Sequence, residues 1–253
     1  MRTRPWLKIP LRGLLLVLPA VALLLGPAQV AGAGKDPDTL DPSLCAPGKH
    51  EFTLDIDNPY FPLQVGQQWV LAGEEDGESL GLQITVLDAT ETLYRGRKLV
   101  VTRVVEEHEW LDSNGNARID QGEESLEISW NYFAQTEDGT VCYFGEVVDI
   151  YEGGVVVSHE GSWRADERGN APGIYMPAEP KVGMTFQQEL APGIAQDTAT
   201  ILAIGRRVRT PAGTFSDTIK VRDVNPLDGS SGIKFYARGV GLIVDGPLEL
   251  VRY

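Results

Sequence analysis

Leu126-Glu-Ile-Ser-Trp-Asn-Tyr-Phe133 is followed by Asp138-Gly139 and then by Val141-Cys-Tyr-Phe144. Both runs are rich in β-branched and aromatic residues, which strands favour. The Asp-Gly dipeptide between them is a strong signal for a tight turn between antiparallel strands. This stretch therefore predicts a β-hairpin, and the same pattern of strand-forming runs and turn residues predicts strands elsewhere in the chain.

Short runs of the same kind, separated by Gly, Asp and Pro, recur from Glu51 onward. The clearest are Gln68–Leu71, Leu82–Leu87, Lys98–Val105, Thr198–Ile204, Thr218–Val224 and Ile233–Ala237. No stretch holds a 3.6-residue apolar period for three turns, as an amphipathic helix would. The prediction is an all-β fold of antiparallel meanders, with two similar curled sheets forming one half-barrel or sandwich-like domain.

The chain also repeats itself weakly. The matched segments are Val65-Gly66-Gln-Gln-Trp69 with Val182-Gly183-Met-Thr-Phe186, Leu99–Val104 with Thr218–Val224, and Asn131–Ala134 with Lys234–Ala237. This pattern predicts one β domain over 51–253 made of two pseudo-repeats, about 58–150 and 175–253. The alternative is that short meanders look alike because they share turn chemistry.

The first copy carries roughly 16 extra residues between its Arg103 and its Ala134, and a polar stretch lies in that interval. Its sequence is Asp112-Ser-Asn114-Gly-Asn116-Ala-Arg118-Ile119-Asp120-Gln-Gly-Glu123. A twelve-residue calcium loop presents oxygens from positions 1, 3, 5, 7, 9 and 12, with an apolar residue at position 8. Here those ligand positions hold Asp112, Asn114, Asn116, Arg118 (through its backbone carbonyl), Asp120 and Glu123, and Ile119 is at position 8.

These twelve residues resemble the loops of EF-hand and dockerin-type calcium proteins. They depart from the pattern at position 6, where Ala117 replaces the usual turn glycine, and no amphipathic helix flanks them. The resemblance implies a calcium site at a hairpin tip, with affinity in the micromolar to millimolar range of extracellular modules. Magnesium fits less well because it retains more water ligands. The alternative is a polar turn held by Asx hydrogen bonds.

The N-terminus has the pattern of a secretory signal peptide over residues 1–33. Arg2, Arg4, Lys8 and Arg12 precede an apolar run, and Ala31-Gly32-Ala33 offers a small-residue cleavage site. Residues 34–50 are rich in Pro, Gly and Asp and predict an extended leader. We therefore expect a secreted or periplasmic protein with no integral membrane segment after cleavage.

Charge restricts the partners of the predicted mature chain. Removing 1–33 removes four basic and no acidic residues, which leaves 18 Lys and Arg against 36 Asp and Glu, a formal charge of −18. Such a surface repels phosphate backbones and anionic lipids and attracts cations. We expect no nucleic-acid partner. The two cysteines, Cys45 and Cys142, predict one structural disulfide in an oxidising compartment.

Two further classes of function stay open. Aromatic residues such as Trp69, Tyr132, Phe133, Tyr143 and Tyr236 could line a concave pocket for an apolar or carbohydrate ligand. Carboxylate pairs could serve an extracellular hydrolase as acid and base. The pairs are Glu106/Glu107, Glu123/Glu124 and Asp76/Glu78.

Five segments are similar to a group of uncharacterised secreted bacterial β-rich proteins. They are Asn58-Pro-Tyr-Phe-Pro-Leu63, Ala134–Gly145, Glu160-Gly-Ser-Trp163, Pro211-Ala-Gly-Thr-Phe215 and Tyr236-Ala-Arg-Gly-Val-Gly-Leu242. The resemblance covers most of 55–245 and implies no activity. The hairpin over 106–126 is usually short in that group, so the calcium-type loop is a departure from it. Taken together, the sequence predicts a secreted, non-enzymatic calcium-binding β protein with a structural, adhesive or ligand-binding role.

Overall fold

The computed structural model describes residues 38–95 and 98–253. The predicted signal peptide and the first residues of the leader lie outside this part of the chain. Within it, no helix has the length and apolar character needed to cross a membrane.

The described chain is built almost entirely of strands, in agreement with the all-β prediction. One short 3₁₀ helix, η1 (Pro42–Cys45), precedes them. The strands are β1 (Phe52–Thr53), β2 (Gln68–Glu75), β3 (Glu78–Arg95), β4 (Lys98–Leu111), β5 (Ser125–Thr136), β6 (Val141–Glu152), β7 (Val155–Ser158), β8 (Trp163–Arg164), β9 (Ala171–Met176), β10 (Thr185–Gln187), β11 (Glu189–Leu190), β12 (Thr198–Thr210), β13 (Gly213–Val224), β14 (Ser231–Ala237), β15 (Gly241–Asp245) and β16 (Leu248–Arg252).

These strands form one antiparallel sheet that does not close on itself. Its order is β10-β12-β13-β14-β15-β16-β2-β3-β4-β5-β6-β9-β11, with β1 added to β5 and with β7 and β8 added to β6. The β5–β6 hairpin predicted from the sequence is confirmed, since Phe133 pairs with Tyr143 and Gln135 pairs with Val141. The predicted meanders are confirmed as well, and they are joined where β16 pairs with β2.

The two predicted copies begin in the same way. The Gly66 N–H donates to the Val86 carbonyl at 2.9 Å, and the Gly183 N–H donates to the Ile201 carbonyl at 2.9 Å. The residue after each glycine accepts the N–H of that same partner, at 3.0 and 2.9 Å. The strands that follow also match in order, β2-β3-β4-β5 against β10-β12-β13-β14. These similarities favour the duplication, which stays a prediction.

The two edges of the sheet are consecutive in sequence. Strands β10 and β11 lie at opposite ends of the strand order and are separated only by Gln188. We call residues 185–190 the seam segment, because it joins the β12 edge to the β9 edge. The backbones at this junction are in close contact, since a Cβ built on Gly173 of β9 would lie 2.1 Å from the Gln188 carbonyl oxygen.

The N-terminal segment, residues 38–53, crosses the same junction, and we call it the strap. At one end the Leu40 N–H donates to the Thr185 carbonyl at 2.9 Å, beside a parallel bridge between Thr39 and Thr185. In the middle of the strap Cys45 is bonded to Cys142 of β6, which confirms the predicted disulfide. The leader is therefore fastened to the edge strand β10 and, across the junction, to β6.

The inner face of the curled sheet carries an aromatic cluster. The Phe133 and Tyr143 rings stack with centroids 4.8 Å apart, and Tyr175 packs edge-on to both. Phe61 completes the cluster by contacting Phe133, Tyr175 and Tyr236. Edge-to-face and offset contacts of this kind are the favoured aromatic geometries.

Candidate functional site

The calcium-type loop joins β4 to β5, so its predicted place at a hairpin tip is correct. Asp112, the residue at position 1, is only 2% exposed, and its N–H donates to the Ser79 carbonyl at 3.0 Å. Its carboxylate accepts the backbone N–H groups of Asn116 at 3.1 Å and Ala117 at 2.8 Å. Asp112 therefore anchors the loop and draws its first half into a tight turn.

The turn at position 6 is left-handed, as expected for this type of loop. Ala117 has φ of 57°, a conformation that usually favours glycine. The Ala117 side chain is buried and packs with Trp110 and Val70 in a small apolar cluster apart from the main core. Burial of this methyl group offsets the strain, which explains why alanine is accepted where glycine is usual.

The second half of the loop is tied together by side chains. The amide groups of Asn114 and Asn116 both donate to Asp120 Oδ2, at 2.9 and 2.6 Å. These two hydrogen bonds lower the pKa of Asp120, so its carboxylate is charged. Glu123 accepts the Ser113 hydroxyl at 3.2 Å through Oε1 and the Asp120 N–H at 3.1 Å through Oε2.

Five of the six predicted ligand residues thus share one hydrogen-bonded loop. They are Asp112, Asn114, Asn116, Asp120 and Glu123. Arg118 is exposed, and Ile119 at position 8 is 43% exposed. Among the residues described, no group of three or more His, Cys, Asp or Glu side chains is placed to hold a metal ion. Metal ligation by the six residues stays a prediction.

In two of the carboxylate pairs considered for a hydrolase, the two side chains lie in different places. Glu107 is on the inner face of β4, whereas Glu106 accepts the Trp130 indole N–H at 3.1 Å on the outer face. Glu123 belongs to the loop, whereas Glu124 accepts the Gly153 N–H at 2.8 Å. The separation follows from the alternation of side chains along a strand.

The aromatic rings considered for a ligand pocket pack mainly against one another. Phe133 is 1% exposed, Tyr143 is 4% exposed and Tyr236 is 1% exposed. Trp69 is also buried, and its indole N–H donates to the Val240 carbonyl at 2.6 Å. The apolar or carbohydrate carrier stays a prediction, with these rings occupied by contacts within the protein.

A layer of charged side chains beside the aromatic cluster was not predicted from the sequence. Seven carboxylates and one ammonium group from both halves of the sheet face the interior. They are Glu107, Glu127, Glu146, Glu189, Asp197, Asp223, Asp245 and Lys234. Asp223 and Asp245 are buried, and the other six side chains are half-buried. Charges held partly away from water favour partners or protons, and one lysine cannot neutralise seven acids.

Lys234 lies at the centre of this layer. Its Nζ is 3.4 Å from Asp245 Oδ2 and 3.6 Å from Asp223 Oδ2. Burial alone would lower the pKa of Lys234, but Asp245 and the surrounding tyrosines and carboxylates outweigh it, so the pKa lies well above its ordinary value. Lys234 is therefore charged at every physiological pH.

The pKa values of several acids in the layer are also raised, and for these groups burial is the main cause. Burial raises the pKa of Glu107 and of Glu127 to about 7. Burial and then the neighbouring Asp197 raise the pKa of Glu189 to about 8. The pKa of Glu146 lies well above its ordinary value, first through burial and then through the charge of Glu189. Several of these groups therefore hold protons near neutral pH.

A signal for the layer exists in the sequence. Glu107 and Glu109 alternate with Val105 along β4, so all three share one face of the strand. This spacing places acids at positions where a buried face is otherwise apolar.

No family model matches the chain, and no match was found among the curated proteins or among the solved structures. The resemblance to secreted bacterial β-rich proteins through the Asn58–Leu63 and Tyr236–Leu242 segments stays a prediction.

Proposed function

We propose that this protein binds calcium outside the cytoplasm through the loop over residues 112–123, and that its role is structural, adhesive or ligand-binding rather than enzymatic. The observation that carries the proposal is the anchored turn at Asp112. Its buried carboxylate accepts two successive backbone N–H groups, and the turn residue Ala117 has the left-handed conformation that such loops need.

The donor set fits a hard cation. Asp112, Asn114, Asn116, Asp120 and Glu123 supply carboxylate and amide oxygens, and Arg118 supplies a backbone carbonyl. Calcium takes six to eight such oxygens and tolerates irregular geometry, whereas magnesium demands a near-ideal octahedron. A bound calcium ion would supply positive charge to the carboxylates of Asp112, Asp120 and Glu123.

A static role follows from the neighbouring structure. The loop is flanked by strands β4 and β5, not by a pair of helices that could swing apart. Its apolar contacts, through Ala117 and Trp110, fasten it to the outer face of the sheet. Calcium would therefore rigidify a hairpin tip, where a binding surface is commonly placed.

The test is calorimetric titration of the chelator-treated protein with calcium and, separately, with magnesium. We expect one saturable calcium event with a dissociation constant on the order of micromolar to millimolar and weaker magnesium binding. Asp120→Asn and Glu123→Gln preserve side-chain shape and remove one charge each, so both should weaken calcium binding about tenfold or more.

Glu179→Gln is the matched control, because the Glu179 side chain is 87% exposed and lies outside the loop. It should bind as the wild type does. The proposal fails if the wild type gives no saturable calcium heat, or if both loop variants titrate like the control.

A further inference from the structure

Strand β7 is an exposed edge of the sheet. Among the strands that the structure describes, it pairs with β6 alone. Its valines Val155, Val156 and Val157 are 64%, 37% and 52% exposed, so apolar side chains meet water on both sides of the strand. Proteins usually protect such an edge with a charged residue or a proline, and β7 contains neither between Val155 and Ser158. It is therefore suited to accept another strand.

Acidic side chains lie at both ends of β7. Glu152 is exposed and pairs with Val155 across the turn that begins the strand. Glu124 accepts the Gly153 N–H of that turn at 2.8 Å, and Glu160 is exposed just after the other end. If β7 of two copies paired antiparallel, the Glu152 end of each would lie beside the Glu160 end of the other. Like charges oppose this pairing, so β7 favours a basic strand.

Strand β12 has an edge that is covered over only part of its length. Strand β10 pairs with it at Thr198–Thr200, and the Ile201 carbonyl accepts the Gly183 N–H at 2.9 Å. Over residues 202–210, β12 pairs with β13 alone within the described part of the chain. This stretch, which we call the open edge of β12, is a second place where a strand can be added.

The open edge of β12 is apolar at its start and basic further on. Leu202 and Ile204 are each 37% exposed, and Arg206, Arg207 and Arg209 are all exposed. The β13 residues paired with the basic stretch are not acidic: they are Thr218, Phe215 and Thr214. Such a concentration of arginine, on a chain with a formal charge of −14, complements the apolar strand β7 and its acidic ends.

We propose that copies of this chain assemble head to tail, with β7 of one copy added antiparallel to the open edge of β12 of the next copy. In this direction the valines of β7 cover Leu202 and Ile204, and Glu152 and Glu124 lie beside the arginines. The two edges differ, so the contact is heterologous and the ends of a chain of copies can still bind further copies. This assembly does not depend on calcium binding by the loop.

The contact between copies is short. Strand β7 has four residues, and register shifts interrupt the β12–β13 ladder along the open edge, which limits the backbone hydrogen bonds that an added strand can form. An interface of this kind is smaller than that of stable complexes, so we expect a dissociation constant on the order of micromolar or weaker. Assembly therefore depends on protein concentration.

The test is sedimentation velocity of the oxidised protein with calcium chelated, at concentrations from about 1 μM to about 1 mM. The sedimentation coefficient of the wild type should rise with concentration. Val155→Lys with Val157→Lys blocks β7, because lysine on an edge strand prevents strand addition. Arg206→Glu with Arg207→Glu opposes the acids at the end of β7. Each double variant alone should self-associate about tenfold more weakly or less.

Mixing the two double variants separates heterologous pairing from pairing of like edges. The β7 variant keeps the open edge of β12, and the β12 variant keeps β7, so an equimolar mixture should form dimers and nothing larger. A folded β12 variant that self-associates like the wild type overturns the proposal, because β7 would then not need the open edge. A mixture of folded variants that stays monomeric overturns it as well.

The matched controls are Val65→Lys and Arg168→Glu, which change exposed side chains outside β7 and β12. Both should associate as the wild type does, and thermal unfolding checks that every variant is folded. A wild type that stays monomeric over the whole concentration range overturns the assembly even if a double variant fails to fold. Because calcium is chelated throughout, this outcome is independent of the calorimetric test of the loop.

Discussion

Gly173 and Gln188 are in contact at the junction of the sheet edges, where a Cβ on Gly173 would lie 2.1 Å from the Gln188 carbonyl oxygen. Gly173→Ala must push the seam segment away from β9. We expect the free energy of unfolding to fall by about 1–3 kcal/mol, because overpacking a close contact typically destabilises a protein by this amount. Urea denaturation measures it.

The matched control for this change is Gly232→Ala. Gly232 is in β14, and no heavy atom lies within 4 Å of its Cβ position. Gly232→Ala should leave stability unchanged or raise it slightly, because alanine restricts the unfolded chain. An equal loss in both variants would show that the junction has no special role.

The strap is tested through its disulfide. Cys45 and Cys142 are both 0% exposed and are separated by 97 positions in sequence. Replacing both by serine should cost about 3–5 kcal/mol, as expected for a bond that closes a loop of this length. Denaturation with and without reductant gives the measurement. Reductant should destabilise the wild type and leave the double variant unaffected.

The charged interior predicts that stability depends on pH. Burial raises the pKa of Glu107 and Glu127 to about 7, so the folded state keeps protons that the unfolded chain releases above about 4.5. The free energy of unfolding should therefore decrease between about pH 5 and pH 8. Urea midpoints across this range test the slope, which Glu107→Gln with Glu127→Gln should reduce. A slope of opposite sign would contradict a protonated interior.

Lys234 is the neutralising cation of that interior. Lys234→Met removes the partner of Asp223 and Asp245 and should cost about 3–5 kcal/mol at pH 8, as breaking a buried ion pair does. The loss should be smaller at pH 5, where Asp223 holds a proton, since burial raises its pKa to about 6. Unfolding at the two pH values gives the comparison. An equal loss at both would mean that Lys234 acts through packing alone.

The loop is coupled to the sheet through Trp110, whose indole covers Gly81. A Cβ on Gly81 would lie 2.2 Å from this ring, so Gly81→Ala should displace Trp110 and loosen its contact with Ala117. We expect reduced stability and calcium affinity lower by several-fold, because the anchored turn is lost. Gly232→Ala again serves as the control. Unchanged affinity would show that the loop is independent of the sheet beneath it.

The sequence was sufficient for the local structure of this protein. Alternation and the Asp138-Gly139 turn signal are local properties, and they located the β5–β6 hairpin. The spacing of oxygen-bearing residues over 112–123 is also local, and it located the loop between β4 and β5. Cys45 and Cys142 were paired correctly because there are only two cysteines. The left-handed backbone at Ala117 also agrees with the sequence pattern, because position 6 of such a loop is a turn that glycine usually occupies.

The long-range pairings of the sheet were not predictable in this way. Pairing of β16 with β2 and the meeting of Gly173 with Gln188 join distant positions, and no local pattern specifies them. The charged interior was missed for the same reason. Alternation places Glu107 beside Val105 on one face of β4, but only the packed structure shows that Lys234 lies across from it.

The strap sets an order of events during biosynthesis. Thr39 can pair with Thr185 only after Thr185 has been translated, and Cys45 can form its disulfide only after Cys142 has been translated. Residues made early therefore finish folding late, and until then the growing polypeptide exposes both a reactive sulfur and an uncovered sheet margin.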